Sequence, residues 1–183
     1  CNKNSDSELF KHIDYEAAKI DPGSEGLILL PHFSGSAVPD FNPGARGVFF
    51  GITLKHTKAH FARAIMEAIG FMLREHIEMA ESFGVNIKEI RALGGGAKSS
   101  LWNQIKADIT GKEIITLENT ETTSLGAAIL AGIGVGIFKD FNDACSKCVR
   151  VKERFYPHAE KKLVYDEAFK KYKKIYENVK HLF

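Results

Sequence analysis

The stretch Arg91-Ala92-Leu93-Gly94-Gly95-Gly96-Ala97-Lys98-Ser99-Ser100 decides how the rest of the chain is read. Residues 90–93 read as a short strand that runs into three glycines. Ser99 or Ser100 then offers a cap for a helix whose apolar side is Leu101, Trp102, Ile105 and Ile109. Gly111 closes that helix, and the isoleucine-rich residues 113–117 form the next strand. Strand, helix and strand in this order imply parallel strands joined by a crossover helix, hence an α/β fold. Small residues in the turn let the backbone approach a ligand with no Cβ in the way. Free N–H groups and the dipole at the helix start favour negative charge, which makes an anion site suited to nucleotide phosphates.

The loop is not a Walker A motif, because the glycine pair and Gly-Lys step of that motif are absent. A dinucleotide fingerprint competes: Gly94 and Gly96 fit its first two glycines, Ser99 replaces the third, and Glu118 follows the next strand where a ribose-binding acid would sit. A tight turn with no ligand is the third reading.

Working outward, apolar residues at Leu9, Phe10, Ile13, Ala17 and Ile20 have helical spacing, and Asp21-Pro22-Gly23 stops that helix. Residues 27–30 and 48–52 read as strands on either side of a proline- and glycine-rich loop over 31–45. A long helix is predicted over 57–83, with an inward stripe of Ala62, Ile65, Met66, Ile69, Leu73, Ile77 and Ala80 and Gly84 at its end. Thr120 to Thr123 offer caps for a helix that continues to Ala131, and residues 127–138 read as a buried, closely packed segment. A last helix over 160–180 carries Tyr165, Phe169, Tyr172, Tyr176 and Val179 on one side.

At 44% hydrophobic and 26% charged residues, the composition excludes a mainly disordered or fibrous chain. A net charge of +2 gives no general attraction to nucleic acid or anionic membrane. No apolar run is long enough to span a bilayer. The opening residues lack the apolar core of a signal peptide, so the expected compartment is the cytoplasm. Three cysteines, Cys1, Cys145 and Cys148, cannot all pair within one chain and fit a reducing compartment.

Two further stretches carry a resemblance. Gly47-Val48-Phe49-Phe50-Gly51-Ile52, seven residues, and then His60-Phe61-Ala62-Arg63-Ala64-Ile65-Met66-Glu67 resemble a sequence pattern of the FGGY carbohydrate kinases. The segment from Gly94 through Trp102-Asn103-Gln104-Ile105-Lys106-Ala107-Asp108 resembles that family's adenosine site, and Leu125-Gly126-Ala127-Ala128-Ile129-Leu130-Ala131 the helix that follows it. Within the family the likeness is closest to xylulokinases, and it covers most of the chain.

The resemblance implies a ribonuclease H-like lobe of the actin/hexokinase ATPase type: a mixed five-stranded sheet with flanking helices, here incomplete at its N-terminal edge. Residues 1–183 would be the C-terminal nucleotide-binding lobe, with 1–25 a truncated leading segment. By match of position, Gly94, Gly95, Gly96 and Ala97 would line the phosphate and ribose, with Ser99, Ser100 and Gln104 near adenine. Some relatives carry asparagine at the position of Ser100, and Gly35-Ser36-Ala37-Val38-Pro39 departs from the Gly-Glu-Arg-x-Pro common among them. The implied reaction moves the γ-phosphoryl group of ATP, with Mg2+, to a hydroxyl of xylulose or a related pentulose. The family's catalytic aspartate and most sugar-binding residues lie upstream of this chain, so the chain alone is expected to be inactive. The expected partners are ATP or ADP and a sugar held by the other lobe, without nucleic acid or membrane; a homodimer is compatible. The alternatives are a dinucleotide-binding domain and a non-catalytic partner-binding fragment.

Other polar residues have plainer readings. Asp108 sits well past the helix start and reads as a structural hydrogen-bonding group more readily than a base. His56 and His60, four apart, lack the glutamate of a zinc-protease pair, since Thr57 stands there, and read as polar groups at a helix start. Cys145 and Cys148 have no second pair to complete a zinc site and, with Phe141, share a helical face expected to be buried. The lysines of the last helix read as a solvated face. Trp102 is expected in the core with its ring against the sheet.

Overall fold

The computed structural model describes residues 3–37, 40–119 and 121–183, the side chains of residues 3–7 excepted. Cys1, Val38, Pro39 and Thr120, which figure in the sequence reading, lie outside them. Helix α1 (Lys3–Ala18) leads into a turn in which Gly23, Ser24, Glu25 and Gly26 all have positive φ, at 85°, 49°, 50° and 91°. Ser24 and Glu25 are not glycine, and each left-handed residue of that kind costs about 1–2 kcal/mol.

The long helix α2 (Lys58–Ser82) explains how the turn is held. Glu67 Oε1 accepts from Gly23 N–H at 3.0 Å, and Glu67 Oε2 accepts from the Ser24 hydroxyl at 2.9 Å. Arg63 Nε donates to Glu67 at 2.8 Å, and Tyr165 OH donates to it at 3.1 Å. Glu25 pairs with Lys55 at 2.7 Å. The predicted stripe of α2 is therefore only partly right. Ile65 is 43% exposed, whereas His60, Arg63 and Glu67 are buried. Helical periodicity assigns the inward face to apolar residues, but here part of that face is Arg63 and Glu67, which satisfy each other.

Strand β1 (Ile28–Leu30) pairs antiparallel with β2 (Val48–Phe50). A second sheet has the order β3-β4-β5, with β3 (Glu89–Ala92) parallel to β4 (Glu113–Leu117) and β4 antiparallel to β5 (Val151–Phe155). Helix α3 (Ser100–Thr110) makes the crossover between the parallel pair. The sheet is mixed, as expected, but the five strands fall into two sheets rather than one. Among the described residues no strand joins β2 to β3.

Strand β4 is the buried centre, with Ile114 and Ile115 fully inaccessible. The core gathers Ile28, Leu30, Met66, Phe71, Ile105 and Ile109 against Tyr165, Phe169, Tyr172 and Tyr176 of the last helix, α6 (Lys162–Val179). That aromatic stripe is the predicted one, and Lys170, Lys171, Lys173 and Lys174 face solvent opposite it. A short 3-10 turn, Ala159–Lys161, precedes α6.

Two segments differ from expectation. Helix α4 (Thr122–Gly134) starts at Glu121, which makes no side-chain cap bond. Most of α4 is exposed rather than buried, with Leu130 at 59%, and only Ile129 and Gly132 pack inward. Helix α5 (Phe141–Cys148) buries Ala144 instead of the face bearing its cysteines; Phe141 and Cys145 are exposed and Cys148 half-buried. No helix among the described residues is long and apolar enough to cross a membrane.

Candidate nucleotide site

The glycine loop leaves the C-terminal end of β3. Gly94 takes φ 74° and ψ −162°, a conformation essentially reserved for glycine. Gly95–Lys98 then form a short 3-10 helix, whose start is tied by Ala97 N–H donating to Gly94 O at 3.2 Å. Ser99 is the cap: its hydroxyl accepts from Trp102 N–H at 3.0 Å, and its carbonyl accepts from Asn103 N–H at 3.1 Å. Ser100, the first residue of α3, is exposed.

Trp102 lies behind the loop. A Cβ added at Gly96 would stand 3.1 Å from the indole ring, so only glycine fits without displacing it. The indole Nε1–H donates to Met66 O at 3.0 Å. The ring thus packs between Gly96 and α2 rather than against the sheet, because its polar edge finds an acceptor on α2. The Lys106 ammonium lies 4.9 Å from the ring centroid, and burial pulls its pKa down to about 8.

In front of the loop is a cavity of about 400 Å³. Leu93, Gly94, Gly95 and Lys98 form one wall, and Glu121, Thr122 and Thr123 at the start of α4 form the other. The glycine turn, its lysine and the start of α4 therefore meet at the C-terminal edge of the parallel strand pair, the edge where open α/β sheets hold ligands. Glu121 N–H donates to Asn119 Oδ1 at 2.9 Å, which turns the chain from β4 into α4.

The profile of the FGGY family of carbohydrate kinases, C-terminal domain, matches residues 2–135. The chain belongs to the FGGY family. It is 37% identical over 177 residues to a xylulose kinase of Staphylococcus epidermidis, covering 97% of this chain and 36% of that protein. The crystal structure of xylulose kinase from Rhodospirillum rubrum superposes with a TM-score of 0.81 at 31% identity, over 93% of this chain and 34% of that one. That of Plasmodium falciparum glycerol kinase with ADP gives 0.76 at 28% identity, over 88% and 32%. The chain thus spans about a third of the length of the curated relatives it matches. The fold of these FGGY kinases is the ribonuclease H-like one of the actin/hexokinase class, and this chain shares it.

In this FGGY chain, Gly94 and Gly95 face the cavity, and Ala97 lines a small recess beside it. Gly96 supports the loop against Trp102. Gln104 points elsewhere: its Nε2 lies 2.8 Å from both Asp108 Oδ1 and Tyr156 O, and 2.9 Å from His158 Nδ1. Buried Asp108 also accepts from His158 N–H at 2.9 Å and from Lys161 Nζ at 3.1 Å. It pins the segment before α6 to α3 and is a structural group, as its position suggested.

The sequence reading missed Lys98, Glu121, Thr122 and Thr123. The available signal was topological: the loops after two parallel strands open on the same edge.

His56 Nδ1 accepts from Thr53 N–H, and His60 Nδ1 from Thr57 N–H, both at 3.1 Å. Each ring then carries its proton on Nε2 and has no lone pair there for a metal. Among the described residues, no group of three or more His, Cys, Asp and Glu is placed to hold a metal ion.

Proposed function

We propose that residues 1–183 form the ATP-binding lobe of a cytoplasmic carbohydrate kinase, which transfers the γ-phosphoryl group of ATP to a hydroxyl of xylulose or a related pentulose. The observation that carries the reading is the loop over 94–99, backed by Trp102 and open on a cavity whose other wall is the start of α4. Backbone N–H groups of Gly95 and Gly96 and the Lys98 ammonium would hold phosphate oxygens, and the Thr122 and Thr123 hydroxyls would add hydrogen bonds. The sugar class is taken from the xylulose kinases among the relatives.

The described residues fit a nucleotide anion better than a free metal ion. Glu121 is the one carboxylate in the cavity wall, so a magnesium ion would arrive held by the nucleotide's own phosphates. Bound there, it would neutralise charge developing on the transferred group. No residue of this chain is assigned as the base that takes the sugar hydroxyl proton. Asp108, the nearest candidate in sequence, already faces several donors.

The test is a titration of the chain with Mg·ADP and, separately, with NAD, followed by the fluorescence of Trp102, its only tryptophan. The expected result is saturable ADP binding, no NAD response, and loss of binding in Gly96→Val. A preference for NAD would sink the reading in favour of a dinucleotide site. The chain by itself is expected to transfer no phosphoryl group to a sugar. Turnover by the purified chain would place the catalytic base within it.

A further inference from the structure

The glycine loop is held from behind by residues that do not line the cavity. Asn103 is the centre of this contact. It sits in the first turns of α3 with 1% of its surface accessible, where asparagine is neither a good helix former nor cheaply desolvated. Its side chain is satisfied on both sides. Nδ2 donates to Ala97 O at 2.8 Å, and Oδ1 accepts from Lys106 Nζ at 3.0 Å. Only one orientation of the amide makes both bonds, since an ammonium donates and a carbonyl accepts. Lys106 in turn lies over the Trp102 ring, the ring supports Gly96, and the indole N–H is anchored on Met66 O. The contacts form a closed circuit: α2 to Trp102, Trp102 to Lys106, Lys106 to Asn103, and Asn103 to the loop.

Within the loop, Gly95–Lys98 form a short 3-10 helix, and the Ala97 N–H to Gly94 O bond ties its start to the end of β3. Flexible glycines would otherwise leave its N–H groups free to turn away from the cavity. We propose that Asn103 is a positioning residue for the glycine loop: its amide, oriented by Lys106, fixes the Ala97 peptide so that the neighbouring N–H groups stay turned toward the nucleotide phosphates. Asn103 does not itself touch the ligand. The inference rests on the loop being the nucleotide site, and it adds that affinity there depends on a contact made on the far side of the backbone.

The test uses the full-length protein with Asn103→Asp and Lys106→Met. The aspartate keeps the size and the acceptor facing Lys106 but places an oxygen against Ala97 O. Hydrogen exchange of the backbone amides over 94–98 is measured without ligand, and Mg·ADP affinity by calorimetry. Asn103→Asp is expected to speed loop exchange at least tenfold and to weaken ADP at least tenfold, with exchange in α2 and α6 unchanged. In turnover assays KM for ATP should rise while KM for the sugar stays the same. Lys106→Met, which removes the orienting ammonium, should give the same pattern at a smaller amplitude. Unchanged loop exchange in whichever variant folds overturns the proposal, and so does exchange that rises equally across the whole chain. If the unmodified protein ignores ADP, the nucleotide reading fails, and loop exchange alone then decides the role of Asn103.

Discussion

Glu67 is buried among four donors: the Gly23 N–H, the Ser24 hydroxyl, the Arg63 guanidinium and the Tyr165 hydroxyl. Taking it away leaves Arg63, itself 4% exposed, as an unpaired charge. Glu67→Ala should therefore destabilise the chain by about 3–5 kcal/mol in urea unfolding, and a loss below about 1 kcal/mol would mean that the network is dispensable. Glu75 shows the opposite imbalance. Burial pushes its carboxyl up to about 7, and the Tyr172 hydroxyl bond at 3.3 Å opposes that only in part. Between its ordinary value and about 7, the folded chain holds a proton that the unfolded chain has lost. Glu75 thus costs stability as pH rises through that window. Glu75→Gln is expected to stabilise by about 2 kcal/mol at pH 8, less than the full 1.4 kcal/mol per pH unit because solvent reaches the group, and hardly at all at pH 4. Equal gains at both pH values would show that the proton is not involved. Reactivity follows exposure at the cysteines, and a maleimide should label Cys145 before Cys148, a difference read by mass spectrometry. At this scale the sequence disclosed the glycines, whose freedom is a property of the residue. It hid Thr122 and Thr123, which are ordinary helix-start residues until β4 brings them to the loop.

Helix α3 shows what one cap does for an element. The Ser99 hydroxyl takes the Trp102 N–H and sets where the loop ends. Ser99→Ala should cost about 1 kcal/mol of thermal stability, and Ser99→Asp should restore most of it because an acid suits a helix start. An alanine variant as stable as the parent would remove the cap from the account. Strand 113–117 was legible because a buried central strand reads as an apolar run, and the strand expected at 90–93 and found at 89–92 because it runs into three glycines. Strand β5 was not. Val151-Lys152-Glu153-Arg154-Phe155 lies at the edge of the sheet, where charge is tolerated and protective, so its pattern resembles a loop. The stripe of α2 was only partly right for a related reason: a periodicity argument counts apolar residues and does not see Arg63 and Glu67 satisfying each other. The single sheet that the resemblance implied is not found among the described residues, whose five strands pair as two sheets.

Over the whole molecule, Leu130, Val135, Ile137 and Phe141 are each more than half exposed along α4, α5 and the turn between them. Exposed apolar side chains on neighbouring elements bind apolar probes and promote self-association. Leu130→Lys is expected to lower the binding of a hydrophobic dye and the tendency of the chain to aggregate, with thermal stability unchanged within about 0.5 kcal/mol. Unfolding of that variant would show instead that the face is covered. The turn at 23–26 has a consequence of another kind. Four successive residues with positive φ amount to a brief reversal of stereochemical hand within a chain of L-amino acids. Two of the four, Gly23 and Gly26, carry no chirality of their own. A D-alanine placed at Gly26 by chemical ligation would match the local hand, whereas its mirror image at the same atom would oppose it. The two enantiomers should therefore separate in melting temperature, with the D form the more stable.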